Sequence, residues 1–168
     1  MEQLLDGKKG YHWAEQIGNT SQGSSIGFLP AEDKSETRRL WHSCFPEDSE
    51  EFIRYYYTEK TKDNRILVKK ENGILISMTH LNPYPVRVKS GEWELDYLVA
   101  VSTEAGRRRE GHLRTLFADL LKRQYEEGKP VTYLVPVNPA VYEPFGFTFI
   151  GNLPAWELRP EKQARLTR

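Results

Sequence analysis

The residues with the most chemical content form one short run, Arg107-Arg108-Arg109-Glu110-Gly111-His112-Leu113. Guanidinium groups can grip phosphate oxygens through paired hydrogen bonds, and a glycine lets backbone N–H groups approach an anion closely. After the glycine, Leu113, Leu116, Phe117, Leu120, Leu121 and Tyr125 follow the spacing of an amphipathic helix, which Gly128 and Pro130 stop. Before it, Glu92 to Thr103 reads as a long strand in which Trp93, Leu95, Tyr97, Val99 and Val101 alternate with Glu94, Asp96, Leu98 and Ala100. A strand, a basic turn, a glycine and a helix start make a pyrophosphate site, because a helix N-terminus presents unpaired N–H groups and the positive end of its dipole. An arginine run alone is more often solvated surface, so the glycine and the helix start carry the reading and the arginines reinforce it. A nucleotide P-loop would need Gly-Lys-Ser/Thr here, and a dinucleotide fingerprint would need more glycines.

The rest of the chain supplies the elements that hold this turn. Ile26-Gly27-Phe28-Leu29 is a short apolar strand ended by Pro30, and Glu32 to Cys44 is helix-like, with Leu40, Trp41 and Cys44 in register. Ser49 before Glu50-Glu51 reads as the N-cap of a second helix running to about Tyr57. Arg65 to Val68, Asn72-Gly73 and Ile74 to Met78 have the form of a β-hairpin with a type I′ turn, and Lys89-Ser90-Gly91 marks another hairpin break. Val131 to Val135 is a continuous apolar run expected to be a strand covered on both faces. Asn138-Pro139-Ala140 starts a short helix through Tyr142, and Phe147-Thr148-Phe149-Ile150 starts a last strand.

Length and charge bound the function. The 168 residues suit one compact domain, and 24 basic against 24 acidic side chains leave no overall field to draw the protein onto nucleic acid or an anionic membrane. Cys44 is the only cysteine, which rules out an intrachain disulfide or a zinc cluster built on several thiolates. The first nine residues lack the apolar run of a signal peptide, and no stretch has the roughly 20 apolar residues of a membrane span. The expected setting is cytoplasmic. Gly18 to Ser25 is rich in Gly, Ser, Asn and Gln and reads as a lead-in, although Tyr11 and Trp13 suggest that part of it packs.

Taken in order, these motifs resemble the GNAT superfamily of N-acetyltransferases. The superfamily signature, Arg/Gln-x-x-Gly-x-Gly/Ala after a long strand, is matched by Arg108 to Leu113 except at the last position. Leu113, the arginine run with Arg114, and Tyr142-Glu143-Pro144-Phe145-Gly146-Phe147 are similar to the branch containing the acetyltransferase domain of enhanced intracellular survival proteins, in which Leu is normal there. The resemblance spans roughly Ile26 to Leu158. It implies an α/β (α+β) fold, a GNAT-like mixed, mostly antiparallel central sheet flanked by helices, with residues 1–25 as lead-in and 26–168 as one acetyltransferase domain. It also implies acetyl-CoA as co-substrate and no metal. The pantetheine arm would lie along Val101, Ser102 and Thr103. The pyrophosphate would sit on Arg108, Arg109, Glu110, Gly111, His112, Leu113 and Arg114, chiefly through backbone groups.

Acetyl transfer from a thioester to a primary amine needs a neutral amine, stabilisation of the developing oxyanion and a proton for the departing thiolate. By the resemblance, Tyr142 is the proton donor, and a base would come from the strand carrying Glu94 and Asp96, although alternation places both on a polar face with a solvated role. His80 and His112 titrate near neutral pH in isolation, but a lone histidine is more often structural. Trp41, Phe45 and the run Tyr55-Tyr56-Tyr57 come from the two helices that flank the acceptor cleft in this superfamily, with a tyrosine lining the cleft. The acceptor itself, a small molecule or a peptide amine, is not legible, and pairing of strand ends between subunits leaves a homo-oligomer open. The competing reading is a non-catalytic acyl-CoA-binding or interaction module. Nucleic-acid binding through Arg107 to Arg109 is disfavoured by the balanced charge.

Overall fold

A computed structural model describes residues 23–88 and 91–152; the lead-in with Tyr11 and Trp13, the tip residues Lys89 and Ser90, and everything after Asn152 lie outside the described residues. Five strands form one sheet in the order β1 (Ser24–Phe28), β2 (Arg65–Glu71), β3 (Ile74–Val88), β4 (Gly91–Thr103) and β5 (Tyr133–Leu134). The first three pairings are antiparallel and the last is parallel, which is the mixed, mostly antiparallel sheet expected. Helices α1 (Arg38–Cys44) and α2 (Glu50–Glu59) cover one face, and α3 (His112–Glu126) packs on β2, β3 and β4 from the other. Contacts group the chain into two compact units that meet between Val137 and Asn138. Among the described residues no helix is long and apolar enough to cross a membrane.

Local chemistry explains the boundaries. Asn72 (φ 49°) and Gly73 (φ 80°) both adopt the left-handed region that a type I′ turn requires, and Glu71 pairs with Ile74 across it. Ser49 caps α2 by accepting a hydrogen bond from the Phe52 N–H (3.2 Å), with Glu50 and Glu51 in the first turn against the dipole. Ahead of α1 the chain first makes a 3₁₀ segment, Ala31–Thr37, so the helix is shorter than the periodicity from Glu32 suggests.

The two sheet faces differ in kind. On the α1–α2 face, Trp41 packs edge-on against Phe45, Phe52, Tyr57 and His80 and tilts over Tyr56, and its indole N–H donates to Asp48 (2.8 Å). Leu40, Ile53, Ile66 and Met78 fill the space beneath. On the α3 face, Leu81, Leu98, Leu116, Phe117 and Leu120 make an apolar patch bordered by ion pairs.

Three expectations change. Val131 to Val135 pairs over Tyr133–Leu134 only, and Val131 and Val135 are exposed, so the run is not a strand covered on both faces; its apolar side chains reflect a segment that leaves the sheet after two residues. The segment 147–150 carries no strand and exposes Phe149 and Ile150. The short helix through Tyr142 is a pair of 3₁₀ turns, Pro139–Val141 and Glu143–Phe145.

Candidate active site

β4 is the element on which the site is built. Its register against β3 shifts by one residue: His80 faces Val99 and Met78 faces Ser102, so Ala100 and Val101 both stand opposite Thr79. This β-bulge carries Ala100 at φ 51°, a left-handed conformation a non-glycine residue rarely takes, and such bulges re-aim the backbone groups around them. On its other side β4 pairs with β5 only at Tyr97–Tyr133 and Leu98–Leu134. Beyond Leu98 the two strands part, and no described strand pairs with the β5-facing edge of Val99 to Thr103. The fork therefore leaves the β5-facing edge at Val101, Ser102 and Thr103 without a strand partner among the described residues. The Ser102 hydroxyl is buried and finds no partner among the described residues, while the Thr103 carbonyl accepts from Arg108 Nε (3.3 Å).

After Thr103 the chain makes one 3₁₀ turn, Ala105–Arg107, and then enters α3 through two left-handed residues, Arg109 (φ 69°) and Gly111 (φ 83°). Gly111 is the N-cap of α3, and among the described residues no side chain caps the helix, so its first N–H groups have no partner there before Thr115 N–H, which returns to the Gly111 carbonyl (3.1 Å). A Cβ placed on Gly111 would meet no atom within 4 Å, so the position itself is open. Arg109 and Arg114 are exposed, and neither has an ion pair among the described residues. Free amides, open space and two uncommitted guanidinium groups fit a pyrophosphate.

Other members of the motif are occupied. The Glu110 carboxylate is bound by Arg107 Nε (2.8 Å) and lies 3.0 Å from His112 Nε2, and hydrogen bonding to Arg107 and then His112 holds it below the usual carboxylate range. The His112 ring is buried, so only its backbone N–H can reach an anion. Leu113 is half-buried in the first turn.

Glu94 and Asp96 share a face, as their alternation requires, but only Glu94 stays exposed there, while Asp96 is covered by α3. Asp96 is 2% exposed, bound by Arg65 (2.9 Å) and by the Gln124 amide (3.1 Å), which corrects its expected solvated role: partners distant in sequence make burial tolerable. The exposed Glu94 carboxylate lies 3.5 Å from Lys129 Nζ. His80 is fully buried among Trp41, Tyr56 and Tyr57, and burial, with a smaller contribution from Lys34, pushes its pKa down to about 3. It stays neutral at physiological pH and is structural.

The pattern reading missed a cluster at the fork. Tyr97 stacks on Tyr133 (centroids 5.2 Å apart) and lies 6.3 Å from Tyr84, and Lys60 Nζ donates to the Tyr84 hydroxyl (3.2 Å) from above its ring. These come from four elements or turns, and only the alternation of Tyr97 with its apolar neighbours hinted at one of them. Of the tyrosine run, Tyr55 is exposed, Tyr56 is buried with its hydroxyl donating to Asn82 (2.9 Å), and Tyr57 is hydrogen-bonded to Thr37 (2.6 Å).

The second unit, described by itself, places Tyr142 between two 3₁₀ turns. Asn138 Oδ1 caps the first by accepting from Ala140 N–H (3.1 Å), and Gly146 closes the second at φ 84°. The Tyr142 ring stands edge-on to Phe147 (5.9 Å), and burial pushes its phenol up from the ordinary value.

The forked, mostly antiparallel sheet flanked by helices has the fold of solved acetyltransferases. The chain belongs to the acetyltransferase (GNAT) domain family, which it matches over residues 26–150. No curated protein matches it in sequence. Among solved structures it is similar to a conserved protein of Enterococcus faecalis V583 described as a probable N-acyltransferase (TM-score 0.68, 14% identity, 74% of this chain), of which it spans 32%. A protein of Clostridium acetobutylicum described as a predicted acetyltransferase, solved with acetyl-CoA, aligns at TM-score 0.64 and 15% identity over 83% of this chain and 97% of that one. AAC(6')-Iy, solved with a bisubstrate analogue joining CoA to acetylneamine, aligns at TM-score 0.65 and 14% identity over 82% and 99%.

Proposed function

We propose that this acetyltransferase takes acetyl-CoA as its donor and acetylates a primary amine of a small molecule or peptide. The observation that carries this reading is the uncapped start of α3 behind Gly111, with open space before it and the unpaired edge of β4 beside it. When bound, acetyl-CoA supplies the activated acetyl group. The chain's part is to pair its β4 edge at Val101 to Thr103 with the extended arm and to hold phosphate charge on amides from Arg109 to Arg114, with the Arg108, Arg109 and Arg114 side chains in support. Preorganised N–H groups at the bulge favour negative charge developing at a carbonyl oxygen. Tyr142, kept protonated by its burial, gives the phenolic proton to the departing thiolate, and the proton that the attacking amine loses returns to the phenolate through solvent. Tyr84, Tyr97 and Tyr133 line the approach of the amine on the α1–α2 face, and the acetylneamine-bearing analogue bound by AAC(6')-Iy is a precedent for a small-molecule amine acceptor. Leu113 and the arginine run support placement in the branch of the enhanced intracellular survival proteins, within one domain over 26–168.

The test is release of free thiol from acetyl-CoA across a panel of primary amines, with mass spectrometry of the products. At least one amine should accelerate thiol release, and Tyr142→Phe should lower that turnover about 100-fold while CoA still binds. Binding of acetyl-CoA with no amine-dependent release would favour the non-catalytic module instead.

A further inference from the structure

Arg107 heads the arginine run, yet its geometry separates it from the others. Its guanidinium spans two carboxylates: NH2 donates to Glu71 Oε2 at the end of β2 (2.7 Å) and Nε donates to Glu110 Oε2 inside the turn (2.8 Å). Glu71 also faces Lys69 (3.8 Å) and His112 Nδ1 (3.5 Å), and Glu110 faces His112 Nε2 (3.0 Å). Both carboxylates are held below the usual range, first of all by the hydrogen bond to Arg107, so both are charged.

A bare carboxylate at Glu110 would repel phosphate in the turn. We infer that Arg107 is a positioning residue and not a phosphate ligand: it cancels the charge of Glu110 and ties the turn to the β2–β3 hairpin through Glu71, leaving Arg109, Arg114 and the α3 amides to meet the anion. Glu71, outside the family motif and 36 residues from Arg107 in sequence, thereby becomes part of donor recognition. The inference rests on the reading of the turn as the pyrophosphate site.

The experiment is calorimetric titration of acetyl-CoA into the full chain as R107Q, E110Q, R107Q/E110Q and E71Q. R107Q should bind about tenfold more weakly, the scale of a broken partly exposed charge pair near a charged ligand. R107Q/E110Q should return to within about threefold of the parent, because the exposed carboxylate has gone with its partner. E110Q should bind at least as tightly as the parent, and kcat should be unchanged throughout while KM for acetyl-CoA follows the affinities. A double variant as weak as R107Q would mean that Arg107 touches phosphate, and R107Q equal to the parent would mean that it does neither; either overturns the inference. Should R107Q not fold, E71Q carries the test through loss of the tie alone, with an expected loss of about threefold, and unchanged affinity there is equally contrary. Gly111→Ala separates the two levels: parent-like binding in that variant would overturn the reading of the turn itself.

Discussion

The two faces of the sheet solve the same packing problem with different chemistry. The α3 face borders its apolar patch with charge: Arg65 bridges Asp96 and Glu127, Lys129 reaches Glu94, and the Arg65 and Arg123 guanidinium groups lie over the Phe28 ring. The α1–α2 face packs ring on ring, with mostly neutral hydrogen bonds inside, Tyr56 and Asn64 on Asn82 and Tyr57 with Thr37, and charge only at its margin, where Asp48 accepts from Trp41 and Arg38 lies over Tyr57. Charges tolerate water at their edges, whereas an aromatic cluster around an unpaired histidine depends on excluding it.

That contrast orders the expected damage. Trp41→Ala should cost about 3–5 kcal/mol by urea denaturation, since it removes the ring that touches Phe45, Phe52, Tyr56, Tyr57 and His80 together; a cost under about 1 kcal/mol would deny that this face is cemented by packing. Asp96→Ala should cost about 2 kcal/mol, less than a fully buried pair because Arg65 keeps Glu127 and part of its exposure. His80 sets an acid limit of similar size. Its pKa is about 3 when folded against roughly 6.5 unfolded, so the unfolded chain takes up the proton first. Stability is then complete above about pH 6.5 and falls as pH drops toward 3, by about 2 kcal/mol at pH 5. His80→Leu should remove that loss, and identical pH profiles of variant and parent would contradict the burial. Glu127→Gln is the mildest test, about 0.5 kcal/mol and shrinking in salt, because the Arg65–Glu127 pair is partly exposed on both sides.

The same contrast explains what was legible beforehand. Signals that act over a few residues read correctly: Asn72-Gly73 dictates its turn, Ser49 caps its helix, and the strand, turn and helix around Gly111 follow from alternation, a glycine and a 3.6-residue period. Features that need distant partners did not. Asp96 looks solvated until Arg65 and Gln124 are brought to it, and the tyrosines at the fork converge from β3, β4 and β5. Nothing local marks Ala100 as the left-handed residue of a bulge, nor shows that Arg107, alone of its run, is bound to two carboxylates. An apolar run such as Val131 to Val135 reports a preference for strand, not the presence of a neighbour to pair with.

The central claim is that the start of α3 behind Gly111 receives the phosphate charge of acetyl-CoA. Calorimetry of acetyl-CoA binding to the parent and to Gly111→Ala tests it most directly, because the added methyl meets no protein atom within 4 Å, so a loss of affinity would not come from a clash within the protein. Its cost to the protein is left-handed strain at φ 83°, about 1 kcal/mol. The account predicts a folded variant that binds acetyl-CoA at least about tenfold more weakly than the parent. Equal affinities would contradict it.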